Sequence, residues 1–544
     1  MNIQHRTRLI WTAILIAWIF DLLFWKKAPG ISFLILVIIT LAGGLIISLG
    51  EGIRPAKNSW LLLAPVLFFS IMTVFREESF TTFINYLLTV GSMALLAVTY
   101  IGGKWWNYSI SDYVAIFFKL FLSTISKTLL IFASKNKKDV EDSGETASND
   151  ETKPKKGSTS WSIVRGILLA LPIVLVLSAL LASADPIFNQ KFEALLKIFN
   201  IDKLGEYLFR AFYILVLAYL LIGAYIHALT ASKDDQLIGL EKPWLPPFLG
   251  WIESIIILLG IDLLFAFFVG LQFKYFFGGQ TNIHLDGFTF AEYARKGFSE
   301  LVIVAVISLL TMQVLNTISK RQTGKQSNSF TALSVGLVVL VCVILVSAFQ
   351  RLQLYESAYG FSRLRTYTHV FMIWIGVLLA AAVVLEVLKR SRLFALAIVL
   401  AAFGFGITLN IMNVDGFITQ QNISRSVAGS ELDVTYLASL SNDAVPALAS
   451  QYRDTSLPQQ VHEMTGAALA CKAQLNQVEQ QRRTYPWPSY LWSRENARQI
   501  FSTLKQDLRS YIVVNDDQLR LFTTVGKTRV LCEDFNIDAF SNGD

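Results

Sequence analysis

The sequence predicts an α-helical polytopic membrane protein of about 11 transmembrane helices, with a small, mainly helical α+β domain at its C-terminal end. Three observations predict it. Of the 544 residues, 53% are hydrophobic and only 16% charged. Apolar runs near the length that crosses a bilayer, about 20 residues, recur as far as Met412. From Asn413 onward the composition is that of a soluble domain.

The first apolar run, Leu9 to Trp25, is followed by Lys26, Lys27, Ala28 and Pro29 instead of a small-x-small cleavage pattern, so it is expected to remain as a span. Spans are expected next over 31–49, 59–75 and 80–101, giving a four-helix membrane region within 1–107. Residues 108–134 read differently. Tyr113, Phe117, Phe121, Ile125 and Leu129 share one face, and Asp112, Lys119, Ser123 and Lys127 another, the pattern of an amphipathic helix lying in the inner interface. The competing reading is a twelfth span, which inverts everything downstream. Residues 135–160, KNKKDVEDSGETASNDETKPKKGSTS, have almost no apolar content and are expected to form a disordered cytoplasmic loop. Spans over 163–183, 207–230, 248–272, 298–318, 331–349, 367–387 and 393–412 complete a seven-helix membrane core within 161–412.

An odd number of spans places the two termini on opposite faces. With the N-terminus cytoplasmic, Lys and Arg are in excess in the inner loops, chiefly through the segment 103–165. Residues 413–544 then form an extracytoplasmic cap. The net charge of +7 is of the kind that cytoplasmic loops carry, so membrane lipids, and not nucleic acid, are the expected partners.

Within the cap, residues 431–452, 458–481 and 493–511 read as helices and 511–532 as two or three short strands. Cys471 and Cys532 both fall here. In an oxidising compartment they can pair, closing a loop of roughly 60 residues worth about 4 kcal/mol in the chain-entropy model; the alternative is two unrelated buried thiols. Cys342 lies inside an apolar run.

Two groups of residues are candidates for chemistry. Asp262, near the middle of WIESIIILLGIDLLFAFFVGLQF, is a candidate intramembrane polar site. A carboxylate facing lipid there is costly, so it is expected to face the bundle, either as a proton or cation site or as a structural hydrogen bond between helices. Asp21, Glu253 and Glu386 lie nearer the interfaces, where snorkelling or capping accounts for them. The second group lies in QRLQLYESAYGFSRLRTYTHVF, residues 350–371, an expected outer hairpin broken near Gly360. Arg351, Tyr355, Tyr359, Arg363 and Arg365 form a candidate site for a phosphate or pyrophosphate head group, because Arg clamps the oxygens while rings lie at head-group depth. The plainer alternative is an aromatic belt whose arginines pair with Glu356, Glu292 or phospholipid. No catalytic residue, metal or cofactor is expected: the five histidines are scattered, HEMTG at 462–466 lacks a second histidine for zinc, and no Walker A, Rossmann or C-x-x-C pattern occurs.

SADPIF (183–188), FTFAEYARKGFSELV (288–302), LYESAYGFSRLRTY (354–367) and LDVTYLASLSNDAVPAL (432–448) together resemble a bacterial polytopic membrane family, domain of unknown function 4173, related to 4153. The resemblance covers residues 160–450. It implies a bacterial cell (inner) membrane location and carries no catalytic residue with it. Three functions stand open. One is a structural, regulatory or envelope-component-binding role, with a lipid or protein partner held by the outer loops and cap. Another is a proton- or ion-coupled transporter centred on Asp262. The third is an envelope enzyme acting on lipid-linked phosphate head groups, with Asp185 as base and Arg351, Arg363 and Arg365 as clamps. Such transferases carry acids on a long first outer loop, which here is only KKAPG, and this places the enzyme behind the binding or regulatory reading.

Overall fold

The computed structural model describes residues 6–141, 203–233, 246–276, 298–515, 521–525 and 528–533, with Leu177, Leu181 and Asp185 as isolated positions. Ten helical stretches among these residues are long and apolar enough to cross a membrane. The expected span over 163–183 lies outside the described residues apart from Leu177 and Leu181. The helices are α1 (Arg6–Phe24), α2 (Ile31–Gly50), α3 (Leu63–Phe75, entered through the 3-10 turn Lys57–Leu62), α4 (Ser79–Thr99), α5 (Ile110–Glu141), α6 (Leu204–Thr230), α7 (Trp251–Phe276), α8 (Phe298–Ile318), α9 (Gly324–Tyr359), α10 (Arg363–Val387) and α11 (Phe394–Met412). Of these, α5 is not among the ten. It continues past residue 134 to Glu141, into the stretch expected to be loop.

The chain divides into two compact units. The smaller comprises Arg6–Asp21 and Ser123–Gly223. Here Asp21 is buried and accepts from Arg210 Nε at 2.9 Å, with Arg210 Nη2 and Tyr213 Oη as further donors. Asp21 is therefore an ion-pair partner, not a snorkelling or capping side chain. Gly223 lies so close to the Thr124 backbone that any side chain would collide with it.

The larger unit comprises Leu22–Leu122 and Ala224–Asp544, with Met1–His5. Its helices pack in a row, α2 on α3, α3 on α4, α4 on α11, α11 on α10 and α10 on α9, which in turn packs on α7 and α8. Short connections account for the consecutive pairs α2–α3, α3–α4, α8–α9, α9–α10 and α10–α11, whereas α4 on α11 and α7 on α9 join helices that do not follow one another in the chain. Glu78 caps α4 by accepting from the Phe80 and Thr81 amides at 2.9 and 2.7 Å. A capping box between Thr323 and Gln326 starts α9, and Gly360, with φ +82°, ends it. With 36 residues α9 is about 54 Å long, well beyond the ~30 Å of a hydrocarbon core. Its polar end, Arg351–Tyr359, follows the apolar run. Glu386 pairs with Arg321 at 3.3 Å, and Glu253 accepts from the Gly250 amide, so the first is again an ion pair and the second a cap.

Beyond α11 come α12 (Val414–Val427), α13 (Val434–Ser439), α14 (Val445–Tyr452), α15 (Gln459–Arg482) and α16 (Trp492–Thr503). A three-stranded antiparallel sheet follows, β1 (Val513–Asn515), β2 (Leu521–Val525) and β3 (Thr528–Glu533), in that order. Val514 stands opposite Phe522, and Thr523 opposite Val530. No element expected from the sequence corresponds to α12. The single helix expected over 431–452 is broken in two, because Ser441 caps a 3-10 turn (Asn442–Ala444) and Pro446 enters the first turn of α14 without an N–H to continue a helix. The helix expected over 493–511 starts at Trp492, ends at Thr503 and is followed by a 3-10 turn, Asp507–Ser510. A disulfide joins Cys471 of α15 to Cys532 of β3, with Cα atoms 5.3 Å apart. The core around Leu437, Leu448 and Leu469 continues through Val370 and Leu409 into α10 and α11.

Candidate functional site

Four breaks in the apolar helices meet the C-terminal domain: Gly30 before α2, Phe75–Ser79 between α3 and α4, Gly360–Arg363 between α9 and α10, and Met412–Val414 between α11 and α12. Charged residues are concentrated at these breaks. A buried charge has to be paired or bonded; here Glu77, Asp443 and Arg363 bond across the junction, while the Glu78 carboxylate, Arg76 and Lys472 bond within their own side.

The loop Arg76-Glu77-Glu78 is used residue by residue. Arg76 donates from Nε and Nη2 to the Asn410 carbonyl at 3.0 and 2.5 Å. The Asn410 side chain pairs with Asn85 of α4. The Glu77 carboxylate accepts from Arg494 of α16 at 3.0 Å and from the Asn442 amide at 3.2 Å. The Glu77 and Glu78 amides both donate to Asp443 Oδ2, at 2.9 and 3.0 Å. Burial pushes the Asp443 carboxyl above its ordinary range, against these two amides and the Arg76 guanidinium, which pull it down.

A second set lies beside it. Arg363, the first residue of α10, forms a two-pronged pair with fully buried Asp415 of α12, at 2.8 and 2.6 Å. Asp415 also accepts from the Ser441 amide at 2.7 Å, and the Arg363 amide donates to Tyr436 Oη at 3.1 Å. Lys472 donates to the Leu440 carbonyl, and Asn476 to Asn442 Oδ1 at 2.8 Å. Burial lowers the affinity of the Lys472 ammonium for its proton, with Glu77 and Asp415 opposing. Residues 440–443 are thus held from both sides. Four acids (Glu77, Glu78, Asp415, Asp443) and four bases (Arg76, Arg363, Lys472, Arg494) share the junction, and the acids act as acceptors in fixed bonds. Chemically the arrangement fastens one part of the chain to another.

The residues singled out in the sequence are distributed differently from expectation. Arg365 lies over the Tyr355 ring at 4.1 Å and donates to the Gly360 carbonyl, while the Tyr355 and Tyr359 rings meet at 5.0 Å. Arg363 turns away to Asp415, and Arg351 is buried within α9. The five therefore do not present one converging clamp: Gly360 reverses the chain between them. Nearby, buried Glu356 meets His369 Nδ1 at 3.2 Å. Asp262 is buried on α7 with no hydrogen-bond partner on Oδ1, and its Oδ2 faces Gly336 of α9. Tyr293, Arg295, Lys296 and the segment 186–200 lie outside the described residues. Among the described residues no group of three or more His, Cys, Asp or Glu is arranged to hold a metal ion.

Sequence reasoning missed Arg76, Glu77, Glu78, Asp415, Asp443, Lys472 and Arg494. A signal was present: three consecutive charges in a loop too short to leave the span ends, and Asp443 inside the quoted stretch LDVTYLASLSNDAVPAL.

No curated protein and no solved structure matches the chain. One family model does, over residues 63–451, from α3 through the 440–443 segment to α14, and so covers both sides of the junction. The chain accordingly belongs to the family described as Domain of unknown function (DUF4153).

Proposed function

We propose that this is a multi-pass protein of the bacterial cell (inner) membrane with a structural, regulatory or envelope-component-binding role, exercised through its outer hairpins and an extracytoplasmic cap. The family resemblance supports the bacterial membrane, and the excess of Lys and Arg in the opposite loops, chiefly in 103–165, supports the orientation. The observation that carries the role is the junction at 440–443, where buried ionic and amide bonds fasten the cap to three helix breaks. A cap held this way moves with the helices, as a platform or a sensor requires. A photocrosslinker at Tyr359 in the hairpin and at Thr455 in an exposed turn of the cap is expected to capture the same envelope lipid or protein in intact cells. Capture of neither defeats the reading.

A second reading rests on Asp262, whose unpartnered oxygen suits a proton site in a transporter. Against it, the α7/α9 seam from Asp262 to the Gln272–Ser347 hydrogen bond, about 15 Å along α7, is filled by Val269, Leu337, Val341 and Ile344. Proton-driven uptake by proteoliposomes that disappears in Asp262→Asn would reverse the ranking. The remaining reading, an enzyme on lipid-linked phosphate, has least support, because Arg363 is committed to Asp415.

A further inference from the structure

Residues 482–492 of the C-terminal domain, RRTYPWPSYLW, meet the junction at the Gly30 break and at Arg494, and they concentrate aromatic and basic side chains. Trp487, Tyr490 and Trp492 are 67%, 41% and 42% exposed. Every exposed large aromatic side chain among the described residues of this domain falls in these few positions. Pro488 and Ser489 between them are buried, so the segment turns its small residues inward and its rings outward. Pro486 and Pro488 restrict the backbone, so the rings are displayed on a stiff turn.

The height of this turn is set by two contacts. The Ile31 amide, at the start of α2, donates to the Tyr490 carbonyl at 3.0 Å, and the backbone of Ser489 and Tyr490 lies so close to Gly30 that a Cβ there would collide with it. The Trp492 ring meets Phe75, the last residue of α3, at 5.4 Å. Ile31 and Phe75 are the terminal residues of two neighbouring apolar helices. Rings fastened to them stand where hydrocarbon gives way to head groups, the depth at which Trp and Tyr are enriched in membrane proteins. Arg482 and Arg483, both exposed, begin the same segment, and Arg forms two-pronged bonds to phosphate.

We propose that residues 482–492 lie in the head-group layer of the membrane the helices cross, with Trp487, Tyr490 and Trp492 seated in it and Arg482 and Arg483 engaging anionic lipid phosphates. The C-terminal domain thereby touches lipid directly as well as through its junction with the helices. The occupant of the aromatic surface is the bilayer interface itself, because the surface is continuous with the span ends.

The full chain with Cys342→Ser and Trp487→Cys, reconstituted in bilayer discs and labelled with bimane, tests this. Phospholipids brominated near the carbonyl are expected to remove most of the label's fluorescence, while iodide in the water has little effect. Tyr490→Cys repeats the measurement should the first variant misfold. Labels at both positions that respond to iodide and not to bromine overturn the proposal. So do labels that respond to neither, which would mean that a protein surface covers the segment. Arg482→Gln with Arg483→Gln is expected to lower the ratio of anionic to zwitterionic lipid retained on purification; an unchanged ratio removes the arginines from the proposal.

Discussion

Asp415→Ala is expected to loosen the C-terminal domain from the helices. It deletes the acceptor of three bonds: two from Arg363, at 2.8 and 2.6 Å, and one from the Ser441 amide, at 2.7 Å. Breaking a buried ion pair by removing one partner costs about 3–5 kcal/mol. Arg363 is 35% exposed, so its released guanidinium regains some water and the expected cost falls to about 2–4 kcal/mol. At about 1.4 kcal/mol per factor of ten, the amides of residues 434–448 should exchange with deuterium about 30- to 700-fold faster in bilayer discs. Glu495→Ala is the control, because its partner Arg498 is 62% exposed and the pair is worth about 0–1 kcal/mol, at most about fivefold in exchange. Asp415→Asn, which keeps an acceptor for Ser441 but loses the charge, should fall between them. If Asp415→Ala exchanges no faster than Glu495→Ala, the junction does not hold the domain by this pair.

Two further outcomes follow from the same region. Reduction, or Cys471→Ser with Cys532→Ser, opens a link spanning 61 residues and is expected to cost about 4 kcal/mol, read as a lower melting temperature of the purified full chain. Asp443 makes a pH prediction of less usual sign. Its folded carboxyl titrates above the ordinary 3.8, so the folded state holds that proton more tightly than the unfolded chain. The associated stability is fully present below the ordinary value and is lost as pH rises through the raised one. The melting temperature should therefore decline over that window, and Asp443→Asn, which can still accept from the Glu77 and Glu78 amides, should flatten the decline. An identical slope in wild type and variant would refute it.

Asp262 and Asp415 show how differently two carboxylates can be read. Asp262 announces itself, since a single acid within an apolar run is conspicuous in one dimension, and the structure places it buried against Gly336. Asp415 lies in NVDGFITQQN, where nothing local marks it, and its partner Arg363 is 52 residues earlier in the chain. The hairpin at 350–371 was legible as a break because Gly360 carries the positive φ that ends α9. Its arginines were not legible as a group. A spacing of four implies one face only while one helix continues, and beyond Gly360 the chain reverses, leaving Arg365 with Tyr355 and Arg363 with α12.

The split of the 431–452 helix has the same origin. Its apolar spacing favours one helix, whereas Ser441 and the Asp415 and Glu77 carboxylates take the amides around the break and make two helices cheaper than one.

By itself the sequence determined the membrane class, nearly all of the helical runs and the change of character at Asn413, because each depends on composition or on periodicity within a single element. Only the tertiary structure decided that Arg76, Glu77 and Glu78 close on Asn410, Asn442 and Asp443 more than 300 residues away, and that Arg363 is spent on Asp415. The physical reason is that a buried charge takes the partner folding brings within about 3 Å, and separation along the chain carries no record of that distance.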